Sequence, residues 1–340
     1  MKALYFCGEG KCTVGDAPDP VVNDGEMLLK IMASAVCGSE KGGYYAETDS
    51  PFISGHEMAG EIVDAGTSQT LKKGDKAVVQ ILNGCGECYY CGRNKYQFCS
   101  NIDYRAGSHT QYIALPEKCV IKAPDDIPYD LLVLLGGDTV GVANRAANKL
   151  DLRAGQVVFV SGAGPIGLGV TAVLKHLGCV VIVSDPSAYR RDYIKYRIDA
   201  DLTVDPATEN IREILAKHTN GLGPEIVIEC SGNPKAQLEA LEYARYCGTV
   251  MFCGENFTGL NIVPSTHIIH KELTLKGAFY FSASDFTDII GMYRNGFDVA
   301  PLISHRVTIE QAPEVIADFM QGKTGKVIIL PHEALPVIAS

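Results

Sequence analysis

The sequence lacks any apolar run long enough to cross a membrane. Uninterrupted stretches such as Val157–Val160 and Val180–Val183 fall far short of the roughly 20 residues that a transmembrane helix needs. The N-terminus also lacks the apolar stretch and small-residue cleavage site of a secretory signal peptide. These absences predict a cytoplasmic protein that does not associate with membranes.

No block of basic residues is present either. The chain has 30 Lys and Arg against 40 Asp and Glu, which gives a formal net charge of −10 at pH 7. Nucleic acids and anionic membrane surfaces attract clustered positive charge. We therefore expect neither of them as a partner and expect a small molecule as the ligand.

Cysteine and glycine, by contrast, are abundant. Disulfides are not expected in a reducing compartment, so the 12 cysteines need another explanation, and clustered cysteines more often bind a metal. The 35 glycines fit a fold with many tight turns and close backbone approaches. A length of 340 residues predicts two domains.

Regions of different character divide the chain. Residues 1–136 contain short strand-like runs, such as Glu26–Met32 and Thr110–Ala114, which predict an all-β, barrel-like unit. Residues 137–278 alternate helical and strand patterns, starting with a predicted helix at Thr139–Lys149, and this alternation predicts a parallel sheet with crossover helices. Residues 279–340 add helical patterns and a last strand. The predicted fold class is therefore α/β with two domains.

Four cysteines form a tight cluster in the first region. Cys85, Cys88, Cys91 and Cys99 follow the pattern C-x2-C-x2-C-x7-C. Four thiolates on one short lobe suit a closed tetrahedral zinc site, which leaves no position for a substrate and predicts a structural role. A redox pair would need only two cysteines. An iron–sulfur cluster also takes four, although the spacer residues are unlike those of ferredoxins.

A glycine-rich loop joins a predicted strand to a predicted helix in the second region. Gly162, Gly164 and Gly167 match the pattern G-x-G-x-x-G. In this pattern the first glycine permits a tight turn, the second lets the backbone approach a pyrophosphate, and the third allows close helix–strand packing. Pro165 and Ile166 open the helix, whose N-terminus attracts phosphates. The loop predicts a dinucleotide site.

An acidic residue ends the next predicted strand, about 20 residues after the loop. Asp185 is expected to accept hydrogen bonds from the adenosine ribose, and its charge would repel a 2′-phosphate, which favours NAD over NADP. Arg190 follows closely and either softens this preference or lies near the adenine. The alternative for Asp185 is a turn residue before Pro186.

Two further segments gain meaning beside these motifs. Cys37 lies in the turn C-G-S-E at residues 37–40, and His56 lies in G-H-E-M-A-G at residues 55–60. Cysteine and histidine are good zinc ligands. Together with the cysteine lobe and the glycine loop, and in this order, the segments resemble the zinc-containing medium-chain dehydrogenase/reductase family. The resemblance covers essentially the whole chain, and the branch of sorbitol (polyol) and threonine dehydrogenases is the nearest.

The resemblance implies a GroES-like β-barrel catalytic domain, into which a Rossmann domain is inserted. It also implies NAD, one catalytic and one structural zinc ion per chain, and a homodimer or homotetramer. Cys37 and His56 would bind the catalytic zinc. In the polyol branch a Glu lies 24 residues before the first loop glycine, and the residue at that position here is Asp138, a shorter carboxylate that can also bind zinc. Helix capping is the alternative role for Asp138, and Glu57 is the other carboxylate that would bind the zinc, at rest or transiently.

The resemblance also implies the chemistry of the site. Zinc would act as a Lewis acid on a substrate hydroxyl, a hydride would pass to the nicotinamide, and Ser39 would begin the proton relay. The family usually has Asp where Glu40 stands and His where Gly42 stands. Tyr44, Tyr45 or water are the candidates to replace that histidine. The remaining histidines are expected to be structural or to line the substrate pocket, and they include His109, His267, His270 and His305.

The predicted function is NAD-dependent oxidation of a secondary alcohol on a polyol, cyclitol or aminocyclitol. An amino-alcohol dehydrogenase similar to L-threonine 3-dehydrogenase is the alternative, which the missing histidine at Gly42 disfavours. A zinc-free reductase of the same superfamily and a non-catalytic nucleotide-binding protein of the same fold are further alternatives. The presence of Cys37 and His56 counts against both.

Overall fold

The computed structural model describes residues 1–48 and 50–333. The chain forms two compact units. The first comprises Met1–Gly141 together with the chain from Phe281 onward, and the second comprises Val142–Tyr280. Within the described residues, no helix is long and apolar enough to cross a bilayer.

The N-terminal part of the first unit consists mainly of short strands. Their bounds are β1 (Lys2–Gly8), β2 (Lys11–Asp16), β3 (Glu26–Ala35), β4 (Phe52–Ile53), β5 (Glu57–Asp64), β6 (Lys76–Val79), β7 (Leu82–Asn83), β8 (Asp103–Tyr104), β9 (Tyr112–Pro116) and β10 (Val120–Lys122). The helices are α1 (Lys41–Tyr45), α2 (Tyr129–Leu135) and α3 (Asp138–Ala147), which continues into the second unit. Single 3-10 turns lie at Gly38–Glu40, Cys91–Arg93, Tyr96–Phe98 and Glu117–Cys119.

Strands and helices alternate in the second unit. They are β11 (Val157–Ser161), α4 (Pro165–His176), β12 (Val180–Ser184), α5 (Ala188–Arg197), β13 (Leu202–Val204), α6 (Ile211–His218), β14 (Ile226–Glu229), α7 (Pro234–Tyr243), β15 (Thr249–Phe252), α8 (Pro264–His267) and β16 (Thr274–Gly277), with a 3-10 turn at Ile269–Lys271. All strands of the resulting sheet are parallel, in the order β13-β12-β11-β14-β15-β16. The strand order reverses between β11 and β14, where such sheets bind ligands at their carboxyl ends.

The chain then returns to the first unit. It forms α9 (Ala283–Arg294), a 3-10 turn (Ala300–Leu302), β17 (Ile303–Thr308), α10 (Ala312–Met320) and β18 (Lys326–Leu330). The last strands complete a seven-stranded sheet of order β10-β6-β5-β3-β18-β17, in which β9 also pairs with β3. Smaller sheets are β2-β1-β4 and β7-β8. The predicted fold class, α/β with a strand-rich unit and a parallel-sheet unit, is confirmed, but the first unit is not all-β because it also contains helices such as α2 and α9.

Three predicted elements have different bounds in the structure. The strand predicted at Glu26–Met32 is β3, which continues to Ala35. The strand predicted at Thr110–Ala114 begins only at Tyr112, because Thr110 forms a bridge with Ala3 and Gln111 donates its backbone N–H to Lys2 O at 3.2 Å. This stretch therefore pairs with β1 before β9 joins β3. The helix predicted at Thr139–Lys149 is α3, which starts one residue earlier, at Asp138, and ends two residues earlier, at Ala147.

Candidate functional site

Four predicted site residues of the first unit come together. The candidate ligand atoms of Cys37, His56, Glu57 and Asp138 all lie within 4.8 Å of one another. Cys37 follows β3, His56 and Glu57 stand at the start of β5, and Asp138 opens α3. Cys37 and Glu57 meet because β3 and β5 are antiparallel neighbours, with Ala35 opposite Glu57.

The carboxylate of Asp138, which was predicted to act either as a metal ligand or as a helix cap, contacts His56. Asp138 Oδ2 lies 3.1 Å from His56 Nε2, so this carboxylate is directed at the imidazole. Burial opposes the charged imidazolium, but hydrogen bonds to Asp138 and Cys37 raise the pKa of His56 above its ordinary value. Metal binding needs the neutral imidazole, so it would release a proton held at this position.

A buried lysine that the sequence analysis did not single out completes the cluster. Lys326 opens β18, and its side chain is 0% exposed. Its Nζ donates to Glu57 Oε1 at 2.5 Å. Burial works against the ammonium form, but the negative charges of Glu57, Cys37 and Asp138 raise the pKa of Lys326 above its ordinary value. In the sequence, Lys326 is a lysine directly before an apolar strand. Exposed lysines at the ends of loops show the same pattern, so the sequence did not indicate that this one is buried.

The cluster fits a divalent metal by charge and by donor chemistry. Glu57 Oε2 is buried and accepts no hydrogen bond from the described residues, and a Cβ on Gly137 would come within 2.5 Å of it. With Cys37 as thiolate, three anionic groups face one ammonium, and a divalent cation would neutralise the two remaining charges. Sulfur, imidazole nitrogen and carboxylate oxygen together are a donor set typical of zinc.

The residues proposed for the proton relay differ in exposure. Ser39 is exposed on the 3-10 turn after Cys37, and Gly42 is exposed in α1. Tyr45 is 49% exposed, whereas Tyr44 is only 4% exposed. The ring of Tyr44 packs edge-on against Phe6, with ring centroids 5.6 Å apart. Tyr44 therefore belongs to the core of the first unit, and Tyr45 is the tyrosine that solvent reaches.

The cysteine lobe also comes together, since the Sγ atoms of Cys85, Cys88, Cys91 and Cys99 all lie within 4.8 Å of one another. The backbone N–H groups of Cys85 and Asn101 each donate to Cys99 Sγ at 3.4 Å. These bonds lower the pKa of Cys99 to about 7, with the bond from Cys85 as the largest cause. Four sulfur atoms this close together, one of them supported by two backbone donors, fit a zinc site in which the protein supplies every ligand.

The glycine loop has the predicted strand–loop–helix setting in the second unit. Gly162 has φ = +99°, which favours glycine. A Cβ on Gly167 would collide with the carbonyl oxygen of Gly162. A Cβ on Gly164 would meet only Arg190 Nη1, at 3.7 Å. Gly167 therefore allows close packing, whereas Gly164 keeps one side of the loop open. Pro165 is the first residue of α4. Ile166 follows it and is half-buried.

Asp185 is tied to this loop. Its Oδ2 accepts from the backbone N–H of Ala163 and its Oδ1 from that of Ser187, both at 2.8 Å. The second bond is the turn contact considered for this residue, and the first joins it to the loop. Each carboxylate oxygen retains acceptor capacity for a ribose hydroxyl. Arg190 contributes a buried Nε that has no hydrogen-bond partner in residues 1–48 and 50–333.

Comparisons with known proteins agree with this geometry. The family model of the alcohol dehydrogenase GroES-like domain matches residues 23–125, and that of zinc-binding dehydrogenases matches residues 165–295. L-Threonine 3-dehydrogenase of Shewanella frigidimarina is 30% identical over 92% of this chain and 94% of its own length.

Solved structures with the same fold cover almost the whole chain. Galactitol-1-phosphate dehydrogenase from Escherichia coli has a TM-score of 0.85 and 23% identity, with 97% of this chain and 100% of that chain covered. An alcohol dehydrogenase from Escherichia coli CFT073, complexed with NADH, has a TM-score of 0.86 and 23% identity, with coverage of 97% and 99%. At these identities the likeness shows the fold, a GroES-like domain with a Rossmann domain. Because a relative at 30% identity spans nearly the full length and both family models match, the chain belongs to the zinc-containing medium-chain alcohol dehydrogenase family of oxidoreductases.

Proposed function

We propose that the protein oxidises a secondary alcohol of a small polar substrate, such as a polyol, cyclitol or aminocyclitol, with NAD as the hydride acceptor. The observation that carries this proposal is the cluster of Cys37, His56, Glu57 and Asp138, with all candidate ligand atoms within 4.8 Å of one another. Its mixed donor set differs from that of the four-cysteine lobe. With Glu57 held by Lys326, three protein ligands would remain, which leaves a position for a substrate hydroxyl. The galactitol-1-phosphate dehydrogenase that shares the fold supports a polyol-like substrate.

The chain would hold two zinc ions in this proposal, one in the cysteine lobe and one in the mixed cluster. Cys37, His56 and Asp138 would bind the second ion, and Glu57 would stay beside it on the ammonium of Lys326. When bound, this zinc supplies the Lewis acidity that lowers the pKa of a substrate hydroxyl. The side chains themselves orient the substrate and remove its proton.

Proton removal is assigned to Ser39. Its side chain is exposed one residue beyond the Gly38 that follows Cys37, so its Oγ would take the hydroxyl proton and pass it outward. A Cβ on Gly42 would have no atom of the described chain within 4 Å. Water and the exposed Tyr45 would therefore replace the histidine that the family carries there, whereas the buried Tyr44 would not.

NAD binding is assigned to the loop of the second unit. The open side at Gly164 and the N-terminus of α4 would receive the pyrophosphate. Asp185 would accept the ribose hydroxyls, and its negative charge would disfavour a 2′-phosphate. The choice of NAD rests on this carboxylate, since solved structures of the same fold contain NADH in one case and NADP in another.

L-Threonine is the second candidate substrate. It is favoured by the threonine dehydrogenase relative at 30% identity. The glycine at position 42, where that branch carries a histidine, counts against it.

The test is reduction of NAD⁺ and NADP⁺ by the zinc-loaded protein with linear polyols, inositols, aminocyclitols, L-threonine and simple alcohols. We expect turnover with NAD⁺ and a hydroxyl-rich substrate, and its loss in Cys37→Ser. The matched control is Cys12→Ser, because Cys12 is a half-buried thiol of the same unit outside both cysteine-containing clusters. Turnover of L-threonine alone would support the second candidate. No turnover across the panel, with zinc bound, would contradict the proposal.

A further inference from the structure

A carboxylate and an imidazole form a buried pair behind the metal ligands. Glu40 is 6% exposed and His109 is 0% exposed. His109 Nε2 donates to Glu40 Oε2 at 2.9 Å. Burying polar groups costs free energy unless they are hydrogen-bonded. The hydrogen-bond partners of Glu40 and His109 therefore indicate which segments of the chain this pair connects.

Glu40 connects two segments that carry metal ligands. Its Oε1 accepts from the backbone N–H of Cys37 at 2.8 Å, and its Oε2 also accepts from Ser54 Oγ at 2.8 Å. Cys37 is itself a ligand, and Ser54 lies two residues before His56. One carboxylate therefore bridges the turn after β3 and the segment that leads into β5.

His109 extends the connection on its other side. Its Nδ1 lies 2.8 Å from Ser34 Oγ in a hydrogen bond, and Ser34 Oγ lies 3.2 Å from the carbonyl oxygen of Glu57, to which it donates. Ser34 is 0% exposed. The imidazole thus spans from Glu40 to β3 and to the backbone of Glu57.

The residue directly before His56 leaves the space that His109 occupies. Gly55 has φ = +95°, and a Cβ there would collide with Ser108 Oγ and would lie 2.6 Å from His109 Nδ1. Any other residue at position 55 would displace the imidazole or strain the backbone. This close approach is an observation independent of the hydrogen bonds, and it shows that the ring is packed directly against the loop that presents His56.

We propose that Glu40 and His109 are positioning residues that hold the backbones of Cys37 and His56 in the geometry that binds the catalytic metal. The inference rests on the proposed metal-dependent function. Neither side chain needs to touch the substrate. Partners behind metal ligands typically contribute about 10- to 100-fold to metal affinity.

The test measures release of each zinc ion to a chromogenic chelator from the intact protein. We expect His109→Leu to release zinc from the Cys37 site about 10- to 100-fold faster than the wild type. His109→Gln keeps an N–H donor for Glu40, so its zinc release should be close to that of the wild type. Glu40→Gln, a milder change, should move release in the same direction. The four-cysteine site is the internal reference, identified by its loss in Cys88→Ser.

The matched control is Asp75→Asn. Asp75 is also a buried carboxylate of the first unit, 4% exposed, with a lysine partner (Lys122 Nζ, 2.8 Å) and a backbone donor (Lys72 N, 3.0 Å). The Asp75→Asn variant should release zinc from the Cys37 site at the wild-type rate. Unchanged release in His109→Leu and Glu40→Gln, or equal acceleration in Asp75→Asn, would overturn the inference. Because this readout needs no turnover, a failed substrate panel would count against the proposed function alone.

Discussion

Lys326 and Glu57 show how much one buried residue pair contributes at the site. Both side chains are essentially unexposed, at 0% and 1%. Removing one partner of such a pair leaves a buried charge without compensation, whereas replacing both partners often costs little. The pair therefore sets the charge of the cluster as well as the position of Glu57.

The first prediction concerns this pair. Lys326→Met should lower the free energy of unfolding by about 3–5 kcal/mol, because it leaves the Glu57 carboxylate buried and unpaired. The double variant Lys326→Met/Glu57→Gln should recover a large part of that loss. Denaturant unfolding of the metal-free protein measures both changes without interference from bound zinc.

Lys323 provides the control for the pair. It forms an ion pair with Asp318 at 3.7 Å, and the two side chains are 60% and 51% exposed. Exposed ion pairs contribute about 0–1 kcal/mol, so Lys323→Met should change the unfolding free energy by less than about 1 kcal/mol. A similar loss in Lys323→Met and Lys326→Met would contradict the role assigned to burial.

The element that joins β11 to α4 separates two uses of glycine. Gly167 faces the carbonyl oxygen of Gly162 inside the turn, while Gly164 faces open space apart from Arg190 Nη1 at 3.7 Å. Gly167 is therefore needed for packing in the folded state, and Gly164 is needed to leave space for the ligand. The sequence motif alone indicated both glycines, and the structure shows the contacts that distinguish them.

The second prediction follows from that difference. Gly167→Ala should destabilise the second unit by about 1–3 kcal/mol through overpacking and lower its thermal unfolding midpoint. Gly164→Ala should leave the midpoint near that of the wild type and weaken NADH binding about tenfold or more, which corresponds to about 1.4 kcal/mol. Thermal unfolding and fluorescence titration with NADH measure the two effects.

Gly291 in α9 is the control for the helical background. A Cβ there meets no atom within 4 Å, so Gly291→Ala should stabilise by up to about 1 kcal/mol through helix propensity. Equal stability losses in Gly164→Ala and Gly167→Ala would refute the division of roles.

At the scale of the whole molecule, the two kinds of site belong to different units. Both candidate zinc sites lie in the first unit, and the nucleotide loop lies in the second. Ligands that bind only the folded state stabilise the unit that contains them. The expected homodimer or homotetramer stays a prediction.

The third prediction uses this separation. Removing zinc with a chelator should increase amide hydrogen exchange in β5 and in the lobe 85–99, because the ligands there lose their shared partner. Exchange in β11, β12 and β14 should change little. Hydrogen exchange with mass spectrometry resolves these segments, and adding zinc back should restore protection. A uniform increase across both units would show that zinc stabilises the chain as a whole and would contradict the prediction.

Several parts of this protein were determined by the sequence itself. The four-cysteine lobe and the glycine loop are local patterns, so their chemistry can be seen without a fold. Cys37 and His56 were indicated through a family resemblance, on turns that are also local. The class of the second unit followed from alternating strand and helix patterns, since hydrophobic periodicity acts over short distances along the chain.

Only the tertiary structure decided the rest. Lys326 and Glu57 lie 269 positions apart in the chain, and Glu40 and His109 lie 69 apart. No local pattern indicates such pairs, because their importance comes from burial, which strand pairing and packing create. Asp138 illustrates the same limit. Its place in the sequence suited a helix cap or a metal ligand, and only the fold brings its carboxylate to 3.1 Å from His56 Nε2; its role as a ligand stays a prediction.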